Sequence, residues 1–216
     1  MEIERIKQVA EARLKNSRSH DWKELGNKFY HGERVARLVL ELRRRILPGD
    51  ASHDGILTAA AWLHDVANGR EADHAAEGAR LVRELIPELC SPYELDEICS
   101  IIAVHDDRSP RRSGYSVWVR LHQDADHLDH FGSYDVWMVS LWTLAQGGSV
   151  LEAADYLTRV RASEMPRYRG ELNFELSRRI LDEKADYQRG FGERLRIEGN
   201  GEICGLEGLL NGMNDD

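Results

Sequence analysis

Cysteine is scarce in this chain of 216 residues, and its spacing forms no pair. Cys90, Cys99 and Cys204 are odd in number with no Cys-x-x-Cys, which excludes a disulfide framework and fits free or buried thiols in a reducing cytoplasm. Long apolar runs are missing too. No segment approaches the length of a membrane span, and Met1-Glu2-Ile3-Glu4-Arg5 does not open a signal peptide, so no membrane partner and a cytoplasmic location are expected. Positive charge is in deficit, with a formal net charge of -9, and a surface that tracks a nucleic-acid polymer is therefore not expected. A local basic mouth over an acidic site remains compatible with that balance. Internal repeats and low-complexity linkers are also absent.

What is present is a soluble globular composition, 42% hydrophobic and 31% charged, long enough for one well-buried domain or at most two small ones. Apolar residues recur at helical spacing along most of the chain. The pattern predicts helices over 1–16, 29–46, 53–66, 74–86, 92–105, 116–131, 136–145, 149–165 and 172–187. Ser91-Pro92-Tyr93-Glu94 and Ser149-Val150-Leu151-Glu152 read as capping boxes. Polar connections are expected at about 17–28, 67–72 and 106–115. The reading is an all-α, single-domain bundle over 1–188, followed by a Gly-rich tail, 189–216, in which Asn200-Gly201 gives a hairpin signal.

The chemistry gathers at helix ends. Ala59-Ala60-Ala61-Trp62-Leu63-His64-Asp65-Val66 is an apolar helix that closes on two adjacent polar side chains. Buried together, these need a partner, and a divalent metal ion suits both imidazole and carboxylate. His31 opens a core-facing row with Val35, Leu38 and Leu42. His74 lies in the first turn of its helix, and His105 ends the face of Leu95, Ile98 and Ile102. A later helix carries Leu121-His122-Gln123-Asp124-Ala125-Asp126-His127-Leu128-Asp129-His130. Taken singly, a His at a helix end is usually a satisfied core residue. The ordered set of six positions, His31, His64-Asp65, His74, His105 and Asp126, is what points to one shared site.

In that order and spacing the chain resembles the HD-domain metal-dependent phosphohydrolase superfamily. The matching stretches are His31-Gly-Glu-Arg34-Val35, Leu63-His64-Asp65, His74-Ala-Ala-Glu77-Gly78-Ala79 and Gln123-Asp124-Ala125-Asp126-His127-Leu128-Asp129, within a motif core of about 20–132. His20-Asp21-Trp22 departs from the pattern, since Lys23 to Tyr30 separate it from His31. The resemblance implies that His31, His64, Asp65 and Asp126 hold the metal. Helical periodicity alone favours Asp124, which shares a stripe with Val117, Leu121 and Leu128, whereas the family's Asp-x-Asp motif places the ligand at Asp126.

The expected activity is metal-dependent hydrolysis of a phosphoester or phosphoanhydride in a small phosphorylated substrate, a nucleotide by preference. Asp65, His74 and His105 are the expected catalytic groups. Arg34, Arg108 and His127 are expected to touch substrate, with Arg111, Arg112 and His130 as further candidates. One ion is expected, with His74 and His105 serving phosphate and proton transfer, but the same two could hold a second. Mn, Fe, Co, Ni, Mg and Zn are all compatible with such ligands. The alternatives are a di-iron oxygenase on the same scaffold and a non-catalytic metal- or nucleotide-binding module.

Overall fold

The structure, a computed structural model, describes residues 1–67 and 73–212, with the side chains of Arg112, Leu209 and Asn211 outside the description. The polar loop expected at 67–72 falls almost wholly outside the described residues. Among those described, the chain is all-α. Its helices are α1 (Ile3–Leu14), α2 (Asn27–Ile46), α3 (Asp54–Leu63), α4 (His74–Leu85), α5 (Pro92–Ile102), α6 (Val117–Asp129), α7 (Ser133–Ala145), α8 (Val150–Asp155), α9 (Arg161–Glu171), α10 (Glu175–Gly199) and α11 (Leu206–Gly212). A 3₁₀ turn covers Pro110–Gly114, and a π-turn over Tyr156–Val160 joins α8 to α9.

The helices group into two compact units. The first comprises Met1–His130 with Tyr168–Leu181, and the second Phe131–Arg167 with Asp182–Asp216. In the first, α1 buries the stripe Ile6, Ala10 and Leu14, whereas α3 is apolar nearly all round and buries Ile56, Leu57, Ala59, Ala60, Ala61 and Leu63. A helix with no polar face belongs inside. Each large side chain so buried contributes roughly 1.5–3 kcal/mol. Ile98, Ile101, Ile102, Leu121 and Leu128 complete this core from α5 and α6. The second unit has its own core of Val136, Val139, Ala153 and Leu157, with Tyr156 and Leu195 packed against it.

Two glycines set the geometry that the site needs. Gly26 precedes α2 in the left-handed region (φ 75°), where a Cβ would lie 2.7 Å from the Lys15 carbonyl oxygen. Gly32 sits where α2 touches α3, and a Cβ there would lie 2.8 Å from the Ala61 carbonyl oxygen. That close approach brings the helix of His31 against the helix that ends in His64.

Both expected capping boxes are formed, Ser91 with Glu94 and Ser149 with Glu152. The C-terminal region differs from expectation. Residues from Arg189 continue α10 as far as Gly199, and Asn200-Gly201 is a turn after that helix rather than a hairpin. Gly192 belongs inside α10 because a Cβ would lie 2.9 Å from Leu157 Cβ, so this glycine admits a close helix contact. The helix expected to stop near Met165 also continues, as α9, through Pro166 to Glu171.

Candidate metal centre

The N-terminal turn of α2, the C-terminal ends of α3 and α5, the start of α4 and the last turns of α6 converge on a cavity of about 280 Å³. Its walls include His31, His64, Asp65, His74, His105 and Asp126. All six positions singled out in the sequence therefore meet in one place. His31 Nε2 lies 3.0 Å from Asp126 Oδ1, and His64 Nε2 lies 3.6 Å from the same oxygen and 3.5 Å from Asp65 Oδ2. Donor atoms around a six-coordinate ion with bonds of about 2.1 Å sit about 3 Å apart. Both the donor set and its spacing fit a divalent cation. A second group, Asp65, His74 and His105, also offers donor atoms within 4.8 Å of one another, so Asp65 is common to both.

Two of the imidazoles are oriented as a ligand needs. His64 Nδ1–H donates to the Ala61 carbonyl at 2.8 Å, and His105 Nδ1–H donates to the Ile102 carbonyl at 2.8 Å. A carbonyl oxygen only accepts, so in each ring the proton is fixed on Nδ1 and Nε2 is left with its lone pair toward the cavity. Burial pushes His64 down to about 4, outweighing the neighbouring Asp65 and Asp126, so this ring is neutral near pH 7.

His31 is held differently. Its Nδ1 pairs with Asp129 Oδ2 at 2.7 Å, and Arg34 grips Asp129 with Nε and Nη2 at 2.9 and 2.8 Å. Burial alone would lower His31, but hydrogen bonds to Asp126 and Asp129 outweigh it and raise the ring to about 9. Burial likewise opposes ionisation of Asp65, yet the Lys28 ammonium and the His31 ring beside it hold its carboxyl well below the usual range. Asp126 is depressed in the same sense by His130 and His31. Asp65 and Asp126 are thus ionised near neutral pH.

The other expected residues fall at various distances from this centre. Arg108 donates to the His105 carbonyl at 2.6 Å and to Asp126 Oδ2 at 3.0 Å, and it lines the cavity. His127 lines it as well, 3.6 Å from Glu171, and burial and the Arg108 charge hold it down at about 3. His130 is exposed but reaches to 3.7 Å from Asp126. Arg34 is not on the cavity wall, because its place one turn after His31 turns it toward Asp129. Arg111 is exposed, 4.0 Å from Asp107, and the Arg112 side chain lies outside the described residues. His20 stacks on Trp22 at 5.6 Å and is not on the wall either.

Asp124 does something else. It accepts from Asn173 N and Nδ2, both at 2.8 Å, and from Phe174 N at 3.0 Å, thereby capping the N-terminus of α10. Periodicity was right that Asp124 faces the core, but the partner there is backbone.

Residues 29–130 match the family described as HD domain. That stretch, just under half of the chain, carries the HD-domain pattern. Solved HD-type structures share its fold: a Bacillus thuringiensis HD-superfamily hydrolase has a TM-score of 0.66 at 21% identity, with 93% of this chain and 97% of that one covered. Bacillus subtilis YpgQ in complex with ADP has a TM-score of 0.62 at 18% identity, covering 95% and 97%. Among curated proteins, the bifunctional uridylyltransferase/uridylyl-removing enzyme of Bradyrhizobium diazoefficiens is 38% identical over 66 residues, 30% of this chain. That of Nitrobacter winogradskyi is 46% identical over 52 residues, 24% of this chain. This chain spans only 7% and 5% of the lengths of those two enzymes.

Three residues of this HD domain's cavity escaped the sequence reading. Lys28 pairs with Asp65 from one turn before His31, a spacing that would have revealed it had α2 been started at Asn27. Asp106 follows His105 directly and lies 3.8 Å from His74 Nε2. Glu171 arrives from the distant end of α9, and no local pattern announces it.

Proposed function

We propose that this HD domain is a metal-dependent phosphohydrolase acting on a small phosphorylated molecule of the nucleotide class. The observation that carries the reading is the meeting of His31, His64, Asp65 and Asp126 donor atoms beside Lys28 and Arg108 in one cavity. The first four are assigned as ligands. When bound, a divalent ion acidifies coordinated water and neutralises charge developing on phosphoryl oxygens. Asp65 is ionised and faces the same space, so it can take up the proton of the attacking water. Lys28 and Arg108 supply the positive wall that meets the remaining phosphoryl oxygens. His74 and His105 hold phosphate or pass a proton to the departing oxygen. Arg34 is assigned to the support of His31 through Asp129 and not to substrate.

The relatives support this class. One solved neighbour is described in complex with ADP, and the matched curated enzymes are described as uridylyl-removing. A cytoplasmic setting fits the three free thiols, and no described helix is long and apolar enough to cross a membrane. A second reading, a di-iron oxygenase, has one observation in its favour: the Asp65, His74 and His105 group beside the first. Release of inorganic phosphate from a panel of nucleoside mono- and triphosphates, with Mn, Co, Ni or Mg added, tests the proposal. Turnover that Asp65→Ala abolishes is the expected result. Iron-bound protein that consumes oxygen and releases no phosphate would overturn it in favour of the second reading.

A further inference from the structure

Other arginines of the first unit have a carboxylate: Arg34 has Asp129, Arg43 has Asp54 and Arg108 has Asp126. Arg120 is different. It is half-buried on α6, and its side chain makes no hydrogen bond or ion pair among the described residues. Its Nε is shut away from solvent without a partner, and its guanidinium lies over the Phe174 ring at 5.4 Å. Burying a guanidinium nitrogen without a partner is unfavourable, and a bound anion would offset that cost.

The surroundings provide for one. Arg120 borders a cavity of about 290 Å³, together with Arg178, Asn173, Ser113, Pro110 and Leu172. Among the described residues no carboxylate lines it, and none lines both it and the metal cavity. Arg178 comes from α10, steadied by the Leu172 carbonyl at 2.7 Å and by Glu175 at 3.4 Å. The Asn173 amide donates to Asp124 and so is fixed in place. Two planar guanidinium groups lining one cavity are the chemistry that receives tetrahedral oxyanions.

We propose that this cavity is a second anion site, taking inorganic phosphate or the phosphate group of a small metabolite, separate from the metal centre. It goes beyond the hydrolase reading and does not depend on it. The test is calorimetric titration of inorganic phosphate into the full chain after chelation of metal, which removes the ion from the first cavity. Arg120→Met keeps an apolar side chain beside Phe174 and removes the charge, Arg178→Ala removes the second guanidinium, and Arg108→Met controls for the metal cavity. Phosphate binding by the chelated protein, weakened about tenfold or more by Arg120→Met and by Arg178→Ala but kept in Arg108→Met, is the expected result. Should Arg120→Met fail to fold, Arg178→Ala decides. Absence of phosphate binding, or loss only in Arg108→Met, overturns the proposal.

Discussion

His31 and Asp129 are joined by a 2.7 Å hydrogen bond across the first unit, and Arg34 locks the carboxylate from its other side. This chain of three residues fixes the ring so that Nε2 faces Asp126. Supports of this kind typically govern metal affinity by about 10–100-fold. Asp129→Ala should therefore weaken metal binding by about that factor while the ligands themselves remain, as calorimetric titration of Mn or Co will show. Arg34→Ala should act in the same direction and more weakly. Unchanged affinity in both variants would remove the supporting role assigned to them.

Protonation of His31 opposes metal. In the metal-free protein the ring is raised from 6.5 to about 9, so near neutral pH the proton must leave before Nε2 can bind an ion. Metal affinity should rise by up to about tenfold per pH unit as pH approaches 9 from below. Stability of the metal-free protein should move the other way. For a group whose folded pKa lies above its unfolded value, the contribution is fully present below 6.5 and lost as pH rises through about 9. Denaturant titrations of chelated protein at pH 6 and pH 9 measure this, and His31→Gln should flatten the difference.

Asp124 and Asp126 should part company on substitution. Asp124→Ala strands the amides of Asn173 and Phe174, at about 1–3 kcal/mol for buried donors left unmade, and should leave metal stoichiometry unchanged. Asp126→Ala should abolish metal binding. Chemical denaturation read beside metal content separates the two, and the reverse pattern would exchange their assignments.

Gly32→Ala tests the helix crossing. The new methyl would meet the Ala61 carbonyl oxygen at 2.8 Å and Trp62 Cα at 3.2 Å, both backbone atoms that cannot swing aside. Overpacking of this kind costs about 1–3 kcal/mol. Because α2 must then retreat from α3, His31 and His64 separate, and metal affinity should fall along with stability. A lower denaturation midpoint with full metal affinity would show that the crossing does not set the ligand spacing.

Much of the candidate set was legible in the sequence because its histidines end or begin periodic apolar rows, and periodicity survives without knowledge of tertiary packing. His31, His64 and His105 stand out in that way, whereas periodicity points to Asp124 and only the Asp-x-Asp motif of the resembled family points to Asp126. The boundary between Asp124 and Asp126 was not legible, since both residues are buried and only the path of α10 decides which carboxylate faces backbone amides. Glu171 and the tail escaped for a related reason. Pro166 and Gly192 are local signals to stop a helix, but at Gly192 the close packing against Leu157 and Thr158 calls for a glycine inside the helix. For Pro166 within α9, no comparable contact accounts for the continuation.

Elemental analysis of the full chain, purified without chelator and compared with His64→Ala and Asp65→Ala, bears most directly on the shared metal centre. A divalent transition ion held by the parent protein and lost from both variants, with folding intact by circular dichroism, is the expected result. Metal content equal in all three proteins, or none in the parent even after incubation with Mn, Fe, Co, Ni and Zn, would contradict it.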